Sequence, residues 1–527
     1  MDKKHNLFLV IILCLTAFFV LSQEKQREET GAHSEVMSLL SPGRLVVTQQ
    51  YDVNSLDPAV ASDTGSLRVT SNIYEGLVRF KPGTVQVEPC LASKWEVSED
   101  AKVWTFHLRR DVLFHDGTPL DARSVEYSIK RQTEAKKDQV GYADFVYAPV
   151  QKVETPDDYT VRFHLKYPFA PFLNNLAVPM AAPVVGPSAD SNANGGSAPP
   201  PGTGPYIPGE RMDGGILLRA NPHYWGTAPK EKEVVFLTVR DSQALSEMLL
   251  QEQSDIALDL TFDEAARARA QGFPVYRTTG LDICYLGFYT EREPFDRAGV
   301  RKAVARALDT EEVYKQLGLQ QAQPAIGHLP PGVAGSESSS RPDYNPDETD
   351  RLLKEAGYQN GLSFTLITYS DSRPYTPGGG KELAEALARS AAEAGITVKV
   401  KDYPWEQFKE ALQRREGDAF LYGWISDNGD PDNFLYTLLA PDQIKQGQNI
   451  TRYSSAQLET ILTSARNTTD MKLRRELYAQ AQVILNQDTP WVVLGHSLYH
   501  AATAPGITGF ALSPTGWHTL GGVKKMP

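Results

Sequence analysis

The stretch that decides the fold reads Ala419-Phe-Leu-Tyr-Gly-Trp424-Ile-Ser-Asp427-Asn-Gly-Asp430-Pro-Asp-Asn-Phe434. Its opening run is short, apolar and aromatic, which predicts a buried strand. The Asn-Gly and Asp-Pro dipeptides that follow favour turns. Apolar residues then recur at helical spacing, so we expect a helix with Asp432 or Asn433 as its N-cap. This order predicts an α/β domain whose acidic loop lies where such domains bind ligands.

Two residues of this stretch suit a ligand that carries an amine. Asp427 offers a negative charge, and Trp424 beside it would supply an apolar wall. The alternative is a purely structural loop, because Asp-Pro-Asp-Asn is also a good turn and helix start. A calcium loop does not fit, since Gly429, Pro431 and Leu438 occupy positions that should hold oxygen ligands.

The preceding segments repeat the strand-loop-helix order. Strands are predicted at 362–368 and 396–400 and helices at 381–394 and 405–414, which is the pattern of a doubly wound lobe. The loop 370–380 follows a strand of the same lobe as the acidic loop, so both loops can face one crevice.

Arg373 in that loop can grip a carboxylate through two hydrogen bonds. Together with Asp427 it would provide one positive and one negative anchor, which fits a zwitterion such as a short peptide. The alternative is an ordinary surface arginine.

The totals describe an ordinary globular protein of more than one domain. The chain has 527 residues, 41% hydrophobic and 22% charged, with a net charge of −12. The acidic total argues weakly against a nucleic-acid surface. Further strands are predicted at 44–48 and 103–109, and a helix at 67–76 that Gly76 closes.

The N-terminus has the layout of a secretory signal. Lys3 and Lys4 precede the apolar run 7–22, and a polar stretch follows it. An uncleaved membrane anchor is the alternative. Cys90 and Cys284 are either a disulfide of an exported chain or two buried thiols.

A second block carries a family resemblance. It reads Leu91-Ala-Ser-Lys-Trp95-Glu-Val-Ser-Glu-Asp100, and then Trp104-Thr-Phe-His-Leu-Arg109-Arg-Asp-Val-Leu-Phe-His-Asp-Gly117-Thr-Pro-Leu-Asp-Ala122. This block resembles the extracellular solute-binding proteins of ABC importers, family 5, the class of dipeptide, oligopeptide and nickel binders. Gly202-Thr-Gly-Pro-Tyr206 and Asn221-Pro-His-Tyr-Trp225 resemble further parts of the same family.

The resemblance implies an α/β fold of the periplasmic-binding-protein type (type II, cluster C-like), with two lobes, multiple hinge crossovers and an extra subdomain. The expected division is a signal peptide (1–22), a flexible tether (23–43), lobe I (44–75, 202–286 and 498–527), the extra subdomain packed on lobe I (76–201) and lobe II (287–497). Residues 188–201, rich in Ser, Asn, Gly and Pro, are expected to form a mobile surface loop.

The resemblance also implies the function. The protein would capture dipeptides or small oligopeptides by lobe closure and deliver them to the permease and ATPase subunits of an importer. Asp427 would hold the peptide α-amino group and Arg373 the α-carboxylate, and Trp424, Tyr375 and Ser62 complete the expected site. We expect no cofactor, no nucleic acid, a monomer, and a periplasmic or cell-surface location.

Rival functions have weaker support. Motifs of nucleophilic, metalloprotease, phosphate-loop and dinucleotide-binding enzymes do not occur in a suitable context, and His115 is interpreted as a turn residue. His496 and His500 would form a metal pair only on a helix, and they flank a predicted strand. Haem, nickel or an oligosaccharide stays open as cargo of the same fold.

Overall fold

The structure is a computed structural model that describes residues 43–134, 142–187, 199–212, 214–338 and 340–526. The predicted signal peptide (1–22), all of the predicted tether (23–43) except its last residue, and residues 188–198 of the predicted surface loop lie outside these ranges.

The described residues form twenty strands. They are β1 (Leu45–Gln49), β2 (Val78–Phe80), β3 (Val87–Pro89), β4 (Ala92–Val97), β5 (Val103–Leu108), β6 (Val150–Asp157), β7 (Thr160–Leu165), β8 (Tyr206–Met212), β9 (Gly215–Ala220), β10 (Glu233–Thr238), β11 (Ile256–Ala257), β12 (Val275–Thr279), β13 (Asp282–Phe288), β14 (Ala322–Pro324), β15 (Leu362–Tyr369), β16 (Ile396–Tyr403), β17 (Ala419–Ile425), β18 (Trp491–Thr503), β19 (Ile507–Thr508) and β20 (Lys524–Lys525).

Helices connect and cover these strands. The α-helices span Thr64–Thr70, Ala122–Glu134, Tyr142–Tyr147, Phe172–Leu176, Ser242–Leu250, Phe262–Ala270, Ala298–Arg306, Thr310–Gln316, Pro346–Glu355, Gly380–Glu393, Trp405–Arg414, Pro431–Leu439, Gln443–Gln446, Ala456–Asn467 and Met471–Asp488, and a short 3₁₀ helix spans Ser336–Ser338. The predicted α/β class is confirmed.

One long strand joins two lobes. The first lobe contains β1 and β8–β12, and the second contains β13–β17. The 13-residue β18 pairs with β13 in the second lobe and with β12 in the first. β12 leads into β13 through residues 280–281. Two segments therefore cross between the lobes side by side, which is the arrangement of a hinge.

The second lobe presents two loops at one edge of its sheet. β15 pairs with β16 and with β17, both in parallel. Parallel neighbours end at the same edge, so the loops after β15 and β17 emerge next to each other. Each lobe has its own core of buried apolar side chains, one drawn mainly from 281–494 and the other from both ends of the chain.

A subdomain with its own core contacts both lobes. Its four-stranded antiparallel sheet has the order β4-β5-β7-β6, and β5 occupies the predicted strand at 103–109, with alternate residues buried. Its base is fixed to the first lobe, because the amide of Val184 donates to the Glu75 carbonyl at 2.9 Å and the guanidinium carbon of Arg109 lies 4.4 Å from the ring centroid of Trp225. On its other side, Asn174 donates to the backbone of Asn428 in the second lobe at 3.0 Å.

Two helix boundaries differ from the prediction. The first helix spans Thr64–Thr70 rather than 67–76, because Asp63 caps its N-terminus through the Ser66 amide, and Gly76 lies beyond its end. The helix Pro431–Leu439 is capped by Asp430, not by Asp432 or Asn433. Proline is favoured at the first helical position, which moves the cap to the residue before it.

The cysteines are two separate buried thiols. Cys90 lies 3.6 Å from a carboxylate oxygen of Glu75, and Cys284 lies 3.5 Å from the hydroxyl of Thr376. The disulfide alternative is therefore wrong for this structure. Among the described residues, no helix combines the length and the apolar sequence that a membrane span needs.

Candidate functional site

A cavity of about 670 Å³ lies between the lobes. The first lobe contributes its helix 64–70 and the residues around β11 and β18, and the second lobe contributes the two loops after β15 and β17. Three of the five predicted site residues line this cavity: Arg373, Asp427 and Ser62.

The loop that carries Asp427 is fixed by its own side chains. The Asn428 side-chain oxygen accepts hydrogen bonds from the Ser426 hydroxyl at 3.1 Å and from the Asp430 amide at 2.9 Å. Gly429 adopts a φ of +58°, which favours glycine. The turn dipeptides of the sequence thus build a rigid loop, and Asp427 is the acidic side chain of this loop that lines the cavity.

Burial changes the acid strength of two carboxyls in this stretch. It raises the pKa of Asp427 to about 6, and it raises that of Asp432 to about 6 against the opposing charge of Arg466. Asp427 lines the cavity, whereas Asp432 lies within the second lobe. A cationic group entering the cavity would favour the ionised form of Asp427 and would gain a charge-assisted hydrogen bond.

Arg373 lies on an aromatic platform. Its guanidinium carbon is 3.5 Å from the ring centroid of Trp405, and that indole stacks on Tyr422 at 6.0 Å. The Nε of Arg373 is buried without a hydrogen-bond partner among the described residues. An arginine held by a ring face, with donors to spare, is suited to bind a carboxylate from the cavity.

The other two predicted residues lie beside the cavity rather than on its surface. Trp424 donates its indole N–H to Asn433 at 2.8 Å and packs on the core of the second lobe. Ile425 lines the cavity instead, because successive side chains of a strand point to opposite faces. Tyr375 is buried, and its ring covers Gly423, where an added Cβ would come within 2.2 Å of it.

The first-lobe wall contains an ion pair that sequence reasoning missed. Arg68 donates to both carboxylate oxygens of Asp259, at 2.6 and 2.7 Å. Burial raises the pKa of Asp259, but the charge and hydrogen bonds of Arg68, together with the hydrogen bond from the Gln50 amide, outweigh burial, so the net pKa lies below its usual value. Both residues line the cavity, with the exposed Ser62 nearby on the same wall. Because 191 positions separate the partners, no local pattern reveals the pair.

The hinge contains a buried polar cluster. Asp282, at the start of β13, accepts hydrogen bonds from the amide of Ser497 at 2.9 Å and from its hydroxyl. The Asp282 carbonyl lies 2.7 Å from Nδ1 of His496. Both histidines of the suggested metal pair belong to β18, but His496 lies at this hinge while His500 lines the cavity. Within the described residues no three His, Cys, Asp or Glu side chains cluster as metal ligands.

The comparisons with known proteins agree with this architecture. The family model of bacterial extracellular solute-binding proteins, family 5 (Middle), matches residues 86–446. The dipeptide-binding protein of Escherichia coli is 31% identical over 469 residues, 85% of this chain and 88% of that protein. Heme-binding protein A of Haemophilus influenzae is 31% identical over 497 residues, 89% of each chain.

A solved structure shows the same fold. HbpA2 from Haemophilus parasuis superposes with a TM-score of 0.85 at 28% identity, covering 92% of this chain and all of that one. The resemblance read from the 91–122 block is therefore confirmed over most of the chain, and the chain belongs to the bacterial extracellular solute-binding proteins, family 5.

Proposed function

We propose that this protein is the exported substrate-binding component of an ABC importer and that it captures dipeptides or small oligopeptides. The observation that carries the proposal is that Arg373 and Asp427 line the same cavity between two lobes. Opposite charges on one wall match the two ends of a zwitterion. The relative named for dipeptide binding, at 31% identity, supports the same ligand class.

Capture would proceed by closure of the lobes about β18 and residues 280–281. Asp427 would accept hydrogen bonds from the peptide ammonium, and Arg373, oriented by Trp405, would grip the carboxylate. Ser62 on the opposite wall would meet the ligand when the lobes close. Each charge-assisted bond contributes roughly 1.5–3 kcal/mol, and micromolar affinity requires only about 8 kcal/mol in all.

The rest of the site suits a carrier rather than a catalyst. A cavity of about 670 Å³ falls within the usual range for small-ligand sites. Trp424 and Tyr375 would support the two binding loops from beneath. Side chains of different peptides would share the remaining space with water, which tolerates many sequences.

The proposal extends to the organisation of the chain. It includes export through the N-terminal segment, either cleaved after residue 22 or kept as an anchor, to the periplasm or cell surface. The protein would act as a monomer, with lobe I formed by 44–75, 202–286 and 498–527, the subdomain by 76–201 and lobe II by 287–497. The pairing of β13 with β17 moves the boundary near residue 286 back to about residue 281. Its partners would be a membrane permease and its ATPase subunits.

Calorimetry with a dipeptide tests the proposal directly. We expect Asp427→Ala to abolish detectable binding, because losing one partner of a buried charge pair costs about 3–5 kcal/mol. Arg373→Ala should also abolish detectable binding of a dipeptide with a free carboxylate. A C-terminally amidated dipeptide should bind the wild-type protein and Arg373→Ala equally weakly. Asp350→Ala, which removes an exposed carboxylate, is the matched control. Unchanged affinity in Asp427→Ala would remove this residue from the site.

Haem is the specific competing cargo, because a relative at the same 31% identity is named for haem binding. Mass spectrometry of small molecules released by denaturing the purified protein distinguishes a peptide cargo from haem. Peptides support the proposal, and haem, nickel or a sugar would replace it with a sibling carrier.

A further inference from the structure

The loop that carries Asp427 is held from within the second lobe and from the hinge. The amide of Ser426 donates to the carbonyl of Leu281 at 2.7 Å, which ties the loop to the crossing segment. On the other side of Asp427, the carboxylate of Asp430 binds Arg474 through two hydrogen bonds of 2.8 and 2.9 Å.

A third attachment comes from the subdomain. The side-chain amide of Asn428 donates to the side-chain oxygen of Asn175 at 2.6 Å, and Asn174 donates to the Asn428 carbonyl at 3.0 Å. Asn428 and Asn175 are 3% and 1% exposed, so these bonds are shielded from water. The same Asn428 side chain accepts from Ser426 and Asp430. One asparagine thus connects the subdomain to the residues on both sides of Asp427.

Packing around these bonds is close. An added Cβ on Gly429 would lie 2.6 Å from a methyl carbon of Val85, which packs against the cores of both the subdomain and the second lobe. Arg466 of the second lobe lies over the rings of Phe169 at 4.9 Å and Tyr436 at 3.9 Å. The contact is therefore a built interface rather than a single hydrogen bond.

The subdomain brings a restraint from the opposite side of the cleft. Its base is fixed to the first lobe through the hydrogen bond from the Val184 amide to the Glu75 carbonyl and through the contact of the Arg109 guanidinium with the ring of Trp225. Its contact with Asn428 consequently links the Asp427 loop to the first lobe at a point away from the hinge.

We propose that the subdomain takes part in ligand capture by positioning the Asp427 carboxylate, with Asn175 as the positioning residue. This inference rests on the proposed function, in which Asp427 receives the ammonium group of a peptide. Asn175 does not touch the ligand. It satisfies the buried amide of Asn428, and without it the loop would have to move to find another partner for that donor.

The test compares two ligands that differ only at the amine. We expect Asn175→Ala to weaken binding of a dipeptide with a free α-amino group about tenfold, the effect of one unsatisfied buried donor. The N-acetylated dipeptide lacks the ammonium and binds too weakly for calorimetry, so ligand-observed NMR measures its affinity, which should change by less than about twofold. A purely structural role for Asn175 would weaken both ligands equally, and that result would overturn the inference.

A ligand-free measurement separates this inference from the proposed function. Hydrogen exchange of the backbone amides of 426–430 should be faster in Asn175→Ala, and unchanged in the control Ser93→Ala on the exposed face of the subdomain. Asn174→Ala, at a half-buried position, serves as a second variant if Asn175→Ala does not fold. If the wild-type protein binds no dipeptide, the proposed function fails, while faster exchange would still support the docking of the loop. Unchanged hydrogen exchange in Asn175→Ala and in Asn174→Ala would overturn the inference that the subdomain positions this loop.

Discussion

Arg474 holds Asp430 through a bidentate ion pair in which the two side chains are only 3% and 2% exposed. Breaking a buried pair leaves an uncompensated charge in a medium of low polarity. We therefore expect Asp430→Asn, which keeps the size of the side chain and its ability to cap the following helix, to lower the free energy of unfolding by roughly 3–5 kcal/mol. Urea denaturation followed by tryptophan fluorescence measures the change.

An exposed ion pair provides the matched control for this substitution. Asp350 pairs with Lys354 at 2.6 Å, but both side chains are more than half exposed. Asp350→Asn should change the free energy of unfolding by less than about 1 kcal/mol, because water screens such pairs. Equal losses in the two variants would show that burial does not set the strength of the Asp430 pair.

Gly429 contributes to stability through its backbone conformation and through close packing, and Gly447 serves as a comparison in which only the backbone conformation matters. Its φ is +58°, and an added Cβ would lie 2.6 Å from Val85. Gly447 has a φ of +77° but open space around the position of a Cβ. We expect Gly447→Ala to cost about 1 kcal/mol from backbone strain alone, and Gly429→Ala to cost a further 1–3 kcal/mol or so from overpacking against Val85. Thermal unfolding of the two variants tests the difference.

Local pattern was enough to predict most of the second lobe. The aromatic run at 419–424, the turn dipeptides after it and the helix 405–414 all occur as predicted, because hydrophobic period and turn chemistry are local properties. The same reasoning placed the loops after β15 and β17 at one edge of a sheet. That these two loops line one cavity follows from the parallel pairing, and the binding roles of Arg373 and Asp427 stay predictions.

Long-range contacts set the features that the sequence did not reveal. The platform under Arg373 comes from Trp405, which is only 32 positions away but on a different element, and the pair Arg68–Asp259 joins two segments that are 191 positions apart. Successive side chains of β17 point to opposite faces, so Ile425 lines the cavity and Trp424 packs on the core. Which of the two reaches the cavity depends on which face of β17 the second lobe buries. Tertiary packing, and not local sequence pattern, decides which of these side chains meet and which face of a strand is buried.

The stacking of Arg373 on Trp405 predicts a role for a residue outside the cavity lining. The indole holds the guanidinium at 3.5 Å and so limits its rotation before the ligand arrives. Trp405→Leu keeps an apolar side chain but removes the ring, so we expect the affinity for a dipeptide with a free carboxylate to fall by about 1–2 kcal/mol. Trp405→Phe should retain part of the effect. Calorimetry with an amidated dipeptide is the control, since the loss should vanish when no carboxylate is present.

The raised pKa of Asp427 predicts that peptide affinity falls in mild acid. In the ligand-free protein burial raises this pKa to about 6, so the carboxylate is the main form only above that pH. A bound ammonium favours the carboxylate and lowers the pKa in the complex, and binding below pH 6 must then release a proton. Affinity should therefore be greatest near pH 7, below the titration of the peptide amine, and should fall as the pH drops through 6, approaching tenfold per pH unit.

Calorimetry of one dipeptide between pH 7 and 5 measures this dependence, and buffers of different ionisation enthalpy report the released proton. The peptide keeps both charges over this range, because its amine titrates near pH 8 and its carboxyl near pH 3.5 or so. Asp282 and Asp432 also have their pKa raised to about 6 by burial. Asp427→Asn is the decisive control, since it retains both of those carboxyls. Its residual affinity should not vary over the range, and a wild-type affinity that stays flat down to pH 5 would mean that Asp427 does not bind the amine.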